Sequence, residues 1–339
     1  MRKSYLFLSC LLWSLLFVPA FTEEQREIKI LRQTPAALDR AISDHLCMSY
    51  EGVHPYHRCK EVYHAQGTLS QAELDEFDFI ITTEQFYNEK LAQNFELVLP
   101  LYQQAFTVVV RDVDQGELFS SGQAYGVLDQ PTQHQVLADV LMALNVDRKR
   151  LSLKSYKAQS LIDQFCSFNI NVAFVTGAHP DRIVRQLNTL CGGKPLSIVG
   201  SLPKNFFKKH RYFYKTDVPK ELYWRLSDDI ETLSIRYLLA VNDRFNIDEL
   251  DILMDHFLKE LEYNQSLPIT ENSILLNNKN LQTPLHEVGN KLIEALEQSA
   301  ELKAQEHLKQ QEKPASQGAS DLQERNESQD NGELSVVIE

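Results

Sequence analysis

A nearly continuous apolar run at residues 169–176, NINVAFVT, constrains the fold of this chain more than any other feature. Such a run is typical of a strand that is covered on both faces, as in a parallel sheet between two layers of helices. Apolar residues at helical spacing occupy 158–165 before the run and 181–190 after it. Because parallel strands are joined by crossover helices, this alternation predicts an α/β fold.

The same alternation extends through most of the chain. Further strands are predicted at 27–31, 59–63, 77–81, 95–100, 106–111, 124–128, 151–155, 196–200 and 232–241. Further helices are predicted at 35–47, 70–76, 132–144 and 247–263. We therefore expect a mainly parallel sheet with helices on its faces.

Two segments are predicted to cross between two lobes and to act as a hinge. The first is the polar stretch 112–122, and the second is the strand at 232–241, which returns to the N-terminal elements. The predicted lobe 1 comprises 26–110 and 232–296, and the predicted lobe 2 comprises 111–231.

The N-terminus has the features of a secretory signal peptide. Basic Arg2 and Lys3 precede an apolar run at 5–18, and Ala20 is a small residue near a cleavage position. A run of about 14 residues is shorter than the about 20 that a membrane-spanning helix needs. We predict that residues 1–20 are removed and that the protein is periplasmic or secreted. Lipidation at Cys10 is the alternative.

The C-terminal segment differs in composition from the rest. Beyond about residue 296 it is rich in Gln, Glu, Lys and Ser and contains no Phe, Trp or Tyr. Such a segment buries too little apolar surface to offset its ordering entropy, so 300–339 is predicted to be a disordered acidic tail. The net charge of −13 over 339 residues argues against nucleic acid and anionic membranes as partners.

Export would leave four cysteines, Cys47, Cys59, Cys166 and Cys191, in an oxidising compartment. Sequence proximity favours disulfides between the first two and between the last two over the two other connectivities. The first pair encloses two histidines, so a Cys2His2 metal site is an alternative, but its spacing fits no common zinc pattern. We predict two disulfides and no metal.

An enzyme is not predicted. The sequence has no Gly-x-Ser-x-Gly elbow, no His-Glu-x-x-His, no phosphate-binding P-loop and no dinucleotide-binding Gly-x-Gly-x-x-Gly. No catalytic residue and no cofactor is therefore assigned.

Several short motifs occur in one order along residues 27–293. The motif VTGAHP at 175–180 precedes a helix and Cys191, 74–81 carries Asp-Phe before a strand, and 212–218 is rich in Tyr. Together they resemble a TAXI-type solute receptor, the periplasmic binding component of tripartite ATP-independent periplasmic (TRAP) transporters. The resemblance implies a two-lobe periplasmic binding protein fold of type II. It also implies a small carboxylate or amino acid as ligand and the transporter's membrane subunits as partners.

In such a receptor the ligand binds between the lobes, at loops that follow the carboxyl ends of strands. The ligand-binding residues predicted in these loops are Arg32, Gln66, Gly67, Thr68, Thr83, Glu84, Gln130, Thr132, Gln133, Thr176 and His179. Arg32 is the one cation among them that can pair bidentately with a carboxylate. Glu84 would repel an anion, so an inward-facing Glu84 favours a zwitterionic or amine-bearing ligand.

Five of these residues also have a structural alternative. Arg32 and Glu84 are compatible with solvated loop positions, and Thr68 and Thr132 with N-caps of the helices that follow them. His179 is compatible with a turn residue that bonds nearby backbone.

Two functions are therefore predicted. The leading one is a solute-binding protein for a TRAP-type transporter. The alternative is a secreted interaction protein that keeps the receptor scaffold with degenerate ligand loops. The loops at 32–35, 64–68 and 129–133 motivate the alternative, because the family's loops are rich in glycine there and these contain only Gly67.

Overall fold

The computed structural model describes residues 26–34, 36–65, 67–113, 118–119, 123–263, 269–279, 281 and 283–311. The predicted signal peptide at 1–20, Gln66 and the tail beyond residue 311 lie outside the described residues. Two compact units are separated at Asn290, and the sheet and the site described below belong to the first.

Ten strands form one sheet within the described residues. They are β1 Glu27–Arg32, β2 Arg58–Tyr63, β3 Phe79–Thr83, β4 Phe95–Val110, β5 Ala124–Leu128, β6 Ser152–Tyr156, β7 Val172–Gly177, β8 Lys194–Leu196, β9 Phe213–Val218 and β10 Ile230–Asn242.

Ten α-helices accompany the sheet in the same part of the chain. They are α1 Ala37–Val53, α2 Gln71–Leu74, α3 Glu84–Phe86, α4 Pro131–Ala143, α5 Ala158–Cys166, α6 Arg182–Thr189, α7 Phe206–Lys209, α8 Ile247–Tyr263, α9 Glu271–Asn278 and α10 Glu287–Gln311. No helix among the described residues is long and apolar enough to cross a membrane.

The strand order is β2-β1-β3-β10-β4-β7-β5-β6, with β8 paired to β4 and β9 to β10. We call β1, β2 and β3 the first strand set, β5, β6 and β7 the second strand set, and β4 with β10 the central pair. Strands within each set are parallel. The central pair is antiparallel within itself and to both sets. The α/β fold is therefore confirmed, but the sheet is mixed rather than mainly parallel.

The two predicted strands at 95–100 and 106–111 are one strand, β4, and treating them as separate was wrong. β4 pairs with β10 from Phe95 to Phe106 and with β7 from Ala105 to Val110. Its change of partner lies close to Ala105, so the chain passes from one strand set to the other before the polar stretch at 112–122. The crossing is an uninterrupted strand, although Gln103 and Gln104 directly precede the change of partner.

Each strand set packs against its own apolar cluster. Leu31, Ile80 and Phe95 belong to a cluster beside the first set, whereas Phe165 and Val175 belong to a cluster beside the second set. This separation agrees with the two-lobe organisation that the sequence predicts, although the exact lobe boundaries remain a prediction.

The structure joins Cys47 to Cys59 and Cys166 to Cys191, as sequence proximity predicts. Because Cys47 and Cys59 are joined, the Cys2His2 metal alternative does not apply. Two boundaries also differ from the prediction. The observed strand β8 spans Lys194–Leu196, so residue 196 alone of the predicted strand at 196–200 is extended. The helix α10 continues to Gln311, so residues 300–311 of the predicted disordered tail are helical.

Candidate functional site

The carboxyl ends of the two strand sets meet at the middle of the central pair. Thr83, the last residue of β3, lies opposite Tyr237 of β10, and Tyr237 lies opposite Tyr102 of β4. Gly177, the last residue of β7, lies opposite Ala105 of the same β4. Since Tyr102 and Ala105 are only three residues apart, the loops after both sets converge on one site. This is the crevice in which α/β proteins bind ligands.

A buried ion pair occupies this junction. Arg236 of β10 and Glu84 at the start of α3 are each only 1% exposed, and Arg236 Nη1 lies 3.1 Å from Glu84 Oε2. Tyr214 donates its hydroxyl to the same Glu84 oxygen, and its ring lies 4.0 Å below the guanidinium carbon. Arg236 Nη2 donates to the carbonyl of Lys279 at 3.1 Å. Both charges are therefore held by hydrogen bonds, as burial of an ion pair requires.

Two polar atoms of this pair have no hydrogen-bond partner among the described residues. They are Arg236 Nε and Glu84 Oε1, and both are buried. A buried donor or acceptor without a hydrogen-bond partner lowers the stability of the protein by about 1–3 kcal/mol. One charged donor and one charged acceptor thus stay available at the junction.

A narrow cavity of about 20 Å³ lies next to the pair. Residues from both sides and from the sheet line it, namely Thr83, Glu84, Gln85, Thr132, Gln135, Val136, Tyr212, Phe213, Ile235 and Arg236. Gln135 of α4 donates to Gln85 of α3 at 3.3 Å, which joins the two walls. A volume of this size holds about one water molecule.

Several polar groups in the loops of the first strand set bond one another, whereas Arg32 Nε and Glu84 Oε1 have no partner among the described residues. Thr82 donates to Gln33 Oε1, and Thr34 and Tyr102 both donate to the carboxylate of Asp39. Arg32 forms an ion pair with Glu61 and donates to the carbonyl of Thr34 at 3.1 Å. Burial raises the pKa of Asp39 to about 6, against the effect of its two hydrogen bonds.

The loops of the second strand set leave polar atoms without partners. Gln133 in the first turn of α4 is fully buried, and neither its amide nitrogen nor its amide oxygen has a partner among the described residues. Thr176 near the end of β7 is 4% exposed, and its hydroxyl likewise has none in the described part. The glutamine and threonine of the two loop systems therefore differ: Gln33 and Thr82 bond each other, whereas Gln133 and Thr176 have no partner among the described residues.

His179 is held at both ring nitrogens. Its Nε2 lies 2.9 Å from the Thr107 hydroxyl, and its Nδ1 bonds the Tyr223 hydroxyl. Burial lowers the pKa of His179 to about 4, so the ring is neutral near pH 7. Its turn begins at Gly177, where a Cβ would come 2.2 Å from Asp181 Oδ2, the side chain that caps α6. His179 bonds side chains rather than the nearby backbone that its structural alternative assumes.

The structure brings some predicted ligand-binding residues together and not others. Thr83, Glu84 and Thr132 line the junction cavity. Arg32 lines a separate open recess with Ala37, Arg40 and Tyr63, Gln130 precedes α4, and Gly67 and Thr68 are exposed. The role of each predicted residue remains a prediction.

The predicted N-cap roles of Thr68 and Thr132 are wrong. Ser70 caps α2 in a capping box with Glu73, because that pair satisfies two free backbone donors at once. Gln130 occupies the N-cap position of α4 and Pro131 its first turn, as proline favours. Thr132 therefore lies inside the helix.

The sequence prediction missed Arg236 as a candidate site residue. The available signal was a lone arginine within the apolar strand TLSIRYLLAV at 232–241. A charged residue is seldom fully buried unless it is paired. An arginine inside a central strand therefore indicates a partner carboxylate nearby.

Three similar solved structures share 12–14% sequence identity with the chain. A TctC solute-binding protein from Polaromonas matches with a TM-score of 0.44 at 14% identity, over 82% of this chain and 96% of that one. The periplasmic binding protein BugD matches with 0.44 at 12%, over 83% and 97%. A substrate-binding domain of a putative molybdenum ABC transporter from Clostridium difficile matches with 0.40 at 14%, over 73% and 99%. With TM-scores below 0.5, these likenesses carry no argument about this chain.

Comparison at the level of sequence families is more informative. No curated protein matches the sequence. The model of the NMT1-like family matches residues 80–291, which is more than half of the chain and includes Glu84, both strands of the central pair and the second strand set. The chain therefore belongs to the NMT1-like family.

Proposed function

We propose that this protein is an extracytoplasmic solute-binding protein, and not an enzyme. It captures a small carboxylate or amino acid at the junction of the two strand sets and delivers it to the membrane subunits of a TRAP-type transporter. The TAXI-like motifs of the sequence support the transporter class, and the N-terminal sequence supports export.

The observation that carries the proposal is the buried Arg236–Glu84 pair with its two unpartnered atoms. An arginine donor suits a ligand carboxylate, and a carboxylate oxygen suits a ligand ammonium group. An α-amino acid carries both a carboxylate and an ammonium group on the same carbon atom. A zwitterionic amino acid is therefore the ligand that the pair fits best.

Further contacts would come from the loops that surround the pair. We propose Thr83 and Thr132, which line the cavity, and Gln133 and Thr176, whose polar atoms lack partners in the described part of the chain. A site that hydrogen-bonds its ligand through buried polar groups rejects analogues that leave those groups unpaired. Selectivity would therefore depend on Gln133 and Thr176.

Ligand entry requires the two strand sets to separate. A cavity of about 20 Å³ is too small for an amino acid, since ligand pockets for drug-sized molecules are about 300–1,000 Å³. The central pair is the proposed hinge, because β10 pairs with β3 of the first set, β4 pairs with β7 of the second set, and the two strands pair with each other. The register of β10 against β4 shifts between Tyr237 and Leu238, an irregularity that makes a strand easier to bend.

The proposal is tested by a thermal-shift screen of the mature protein with amino acids, dicarboxylates and keto acids. At least one compound is expected to raise Tm, because a ligand that binds only the folded state stabilises it. Glu84→Gln separates the ligand classes. It should abolish the shift for an amino acid and preserve or increase it for a dicarboxylate, since only the amino acid needs the carboxylate.

The matched control is Glu89→Gln. Glu89 lies five residues along the chain, is exposed, and accepts a hydrogen bond from Gln85 alone among the described residues, so this change should leave every shift unaltered. Loss of the shift in both variants would assign it to net charge rather than to the site.

The second candidate is a secreted interaction protein on the same scaffold. The observation that favours it is that the junction is filled by the protein's own side chains and keeps space for about one water. Failure of every compound in the screen to shift Tm would favour this candidate over solute binding.

A further inference from the structure

A cluster of two histidines and one glutamate lies at the opposite end of the first strand set from the junction. His54 directly follows α1, His57 directly precedes β2, and Glu249 lies in the first turn of α8. One ligand atom of each residue lies within 4.8 Å of the others. We propose that this cluster binds a divalent transition-metal ion of the Zn²⁺ type.

The ligand chemistry supports this assignment. Two imidazoles and one carboxylate, with a fourth position open to water, form a common set for Zn²⁺. Thiolates do not compete, because Cys47 and Cys59 on either side of the histidines are joined in a disulfide. That disulfide also closes the loop that carries both histidines, so their backbone positions are restrained before any ion binds.

An unused donor atom points to the same conclusion. His54 Nε2 is buried and has no hydrogen-bond partner among the described residues. It lies 3.8 Å from Glu249 Oε1, too far for a hydrogen bond and close to the spacing that one bridging ion imposes. With metal–ligand bonds of about 2.0–2.1 Å, neighbouring ligand atoms of a tetrahedral site are about 3.3 Å apart.

The net charge around the cluster favours a bound cation. Arg26 Nη1 lies 2.6 Å from Glu249 Oε2, and Arg26 Nη2 lies 3.5 Å from Asp78. Two carboxylates around one guanidinium leave a negative balance that a divalent ion offsets. Tyr50 donates to Glu249 Oε1 at 3.0 Å and orients the ligand carboxylate, which is the usual task of groups around a metal site.

The position of the cluster suggests what the ion does. It would join the loop after α1 to the start of α8, two segments far apart in the sequence. Because an ion that binds only the folded state stabilises it, the site would add stability at the end of the sheet remote from the ligand.

The test is calorimetric titration of the mature, untagged and chelator-washed protein with Zn²⁺, with the disulfides intact. One ion per chain is expected to bind, with a rise in Tm. His54→Ala and His57→Ala should each weaken binding by more than the about 10- to 100-fold typical of supporting residues around a metal. His54→Ala is the cleaner variant, since His54 Nε2 loses no hydrogen bond.

His64→Ala is the matched control, because His64 is exposed and lies after β2 rather than before it. It should bind Zn²⁺ as the native protein does. Co²⁺ in place of Zn²⁺ provides a second readout, since a four-coordinate site gives an intense visible spectrum. Absence of binding in the native protein, or binding in His54→Ala and His57→Ala as tight as in the native protein, would overturn the proposal. Neither result bears on solute binding at the junction.

Discussion

The two strand sets use the same type of residue in opposite ways where they meet. Gln33 and Thr82 of the first set bond each other, whereas Gln133 and Thr176 of the second set are equally buried and have no partner in the described part of the chain. Self-satisfied polar groups stabilise a loop, and unpartnered ones cost stability unless a ligand engages them. The difference indicates that Gln33 and Thr82 belong to a rigid wall, whereas Gln133 and Thr176 join Glu84 Oε1 as free hydrogen-bonding groups.

The largest expected effect on stability comes from breaking the Arg236–Glu84 ion pair at the junction, and it should exceed the effect of breaking the Arg32–Glu61 ion pair of the first set. Arg236→Met should lower the free energy of unfolding by about 3–5 kcal/mol, because it leaves the Glu84 carboxylate buried without its counter-ion. Arg32→Met should cost less, since its partner Glu61 retains 18% exposure and water can replace the guanidinium. Urea denaturation measures both values.

The double variant Arg236→Met with Glu84→Gln provides the control for this comparison. Removing both charges should cost less than Arg236→Met alone, since no uncompensated charge remains. If Arg32→Met costs as much as Arg236→Met, the two pairs are not distinguished by their burial.

The next effect is the pH dependence of stability, which is opposite in sign in the two loop systems. Asp39 has a folded-state pKa of about 6 against an ordinary value of 3.8, so its protonation favours folding as pH falls from about 6 to 4. His179 has a folded-state pKa of about 4 against an ordinary value of 6.5, so it favours unfolding as pH falls through the same window. Each amounts to at most about 3 kcal/mol, at about 1.4 kcal/mol per pKa unit.

Asp39→Asn and His179→Gln reveal these opposing contributions. As pH falls from about 6.5 to 4, the native protein should gain stability relative to Asp39→Asn and lose stability relative to His179→Gln. Chemical denaturation at several pH values measures both differences. Two differences of the same sign would contradict the proposed environments of these side chains.

A smaller effect on stability is expected from substitutions of Gln33 and Gln133. Gln33→Leu should destabilise the ligand-free protein by about 1–3 kcal/mol, because the Thr82 hydroxyl loses its acceptor. Gln133→Leu should be neutral or stabilise by up to about 1 kcal/mol, since it removes buried polar atoms that lack partners. Equal destabilisation by both changes would mean that Gln133 is satisfied within the protein.

The smallest effect is expected from the two threonines. Thr82→Val should cost about 1 kcal/mol, and Thr176→Val should leave stability unchanged, because only Thr82 donates to another side chain. Thermal unfolding of the ligand-free proteins checks both. A loss in Thr176→Val equal to that in Thr82→Val would assign the Thr176 hydroxyl a structural role.

The parts of this fold that periodicity determines were predictable from the sequence. The strand at 124–128 and the helix at 247–263 have the predicted bounds, because a local apolar pattern specifies each of them. The partner change within β4 was not predictable in this way. It depends on which strands lie beside Ala105, and local periodicity does not contain that information.

The same distinction holds for the site. The loops at the strand ends were predicted from the α/β pattern, and Glu84, Thr83 and Thr132 from those loops. Arg236 was missed because it lies within a strand, and neither its contact with Glu84 over 152 residues of sequence nor that of Tyr214 over 130 residues was predicted. Pairings at such separations arise from the fold and leave no local pattern.

Ligand affinity of the Gln33 and Gln133 variants shows whether Gln133, rather than Gln33, provides a hydrogen-bonding group for the ligand. The compound that gives the largest thermal shift is titrated calorimetrically into the native protein, Gln33→Leu and Gln133→Leu. Gln133→Leu is expected to weaken binding by about tenfold or more, a loss of about 1.4 kcal/mol. The affinity of Gln33→Leu is expected to stay within about twofold of that of the native protein. Unchanged affinity in Gln133→Leu together with a loss in Gln33→Leu would contradict this expectation.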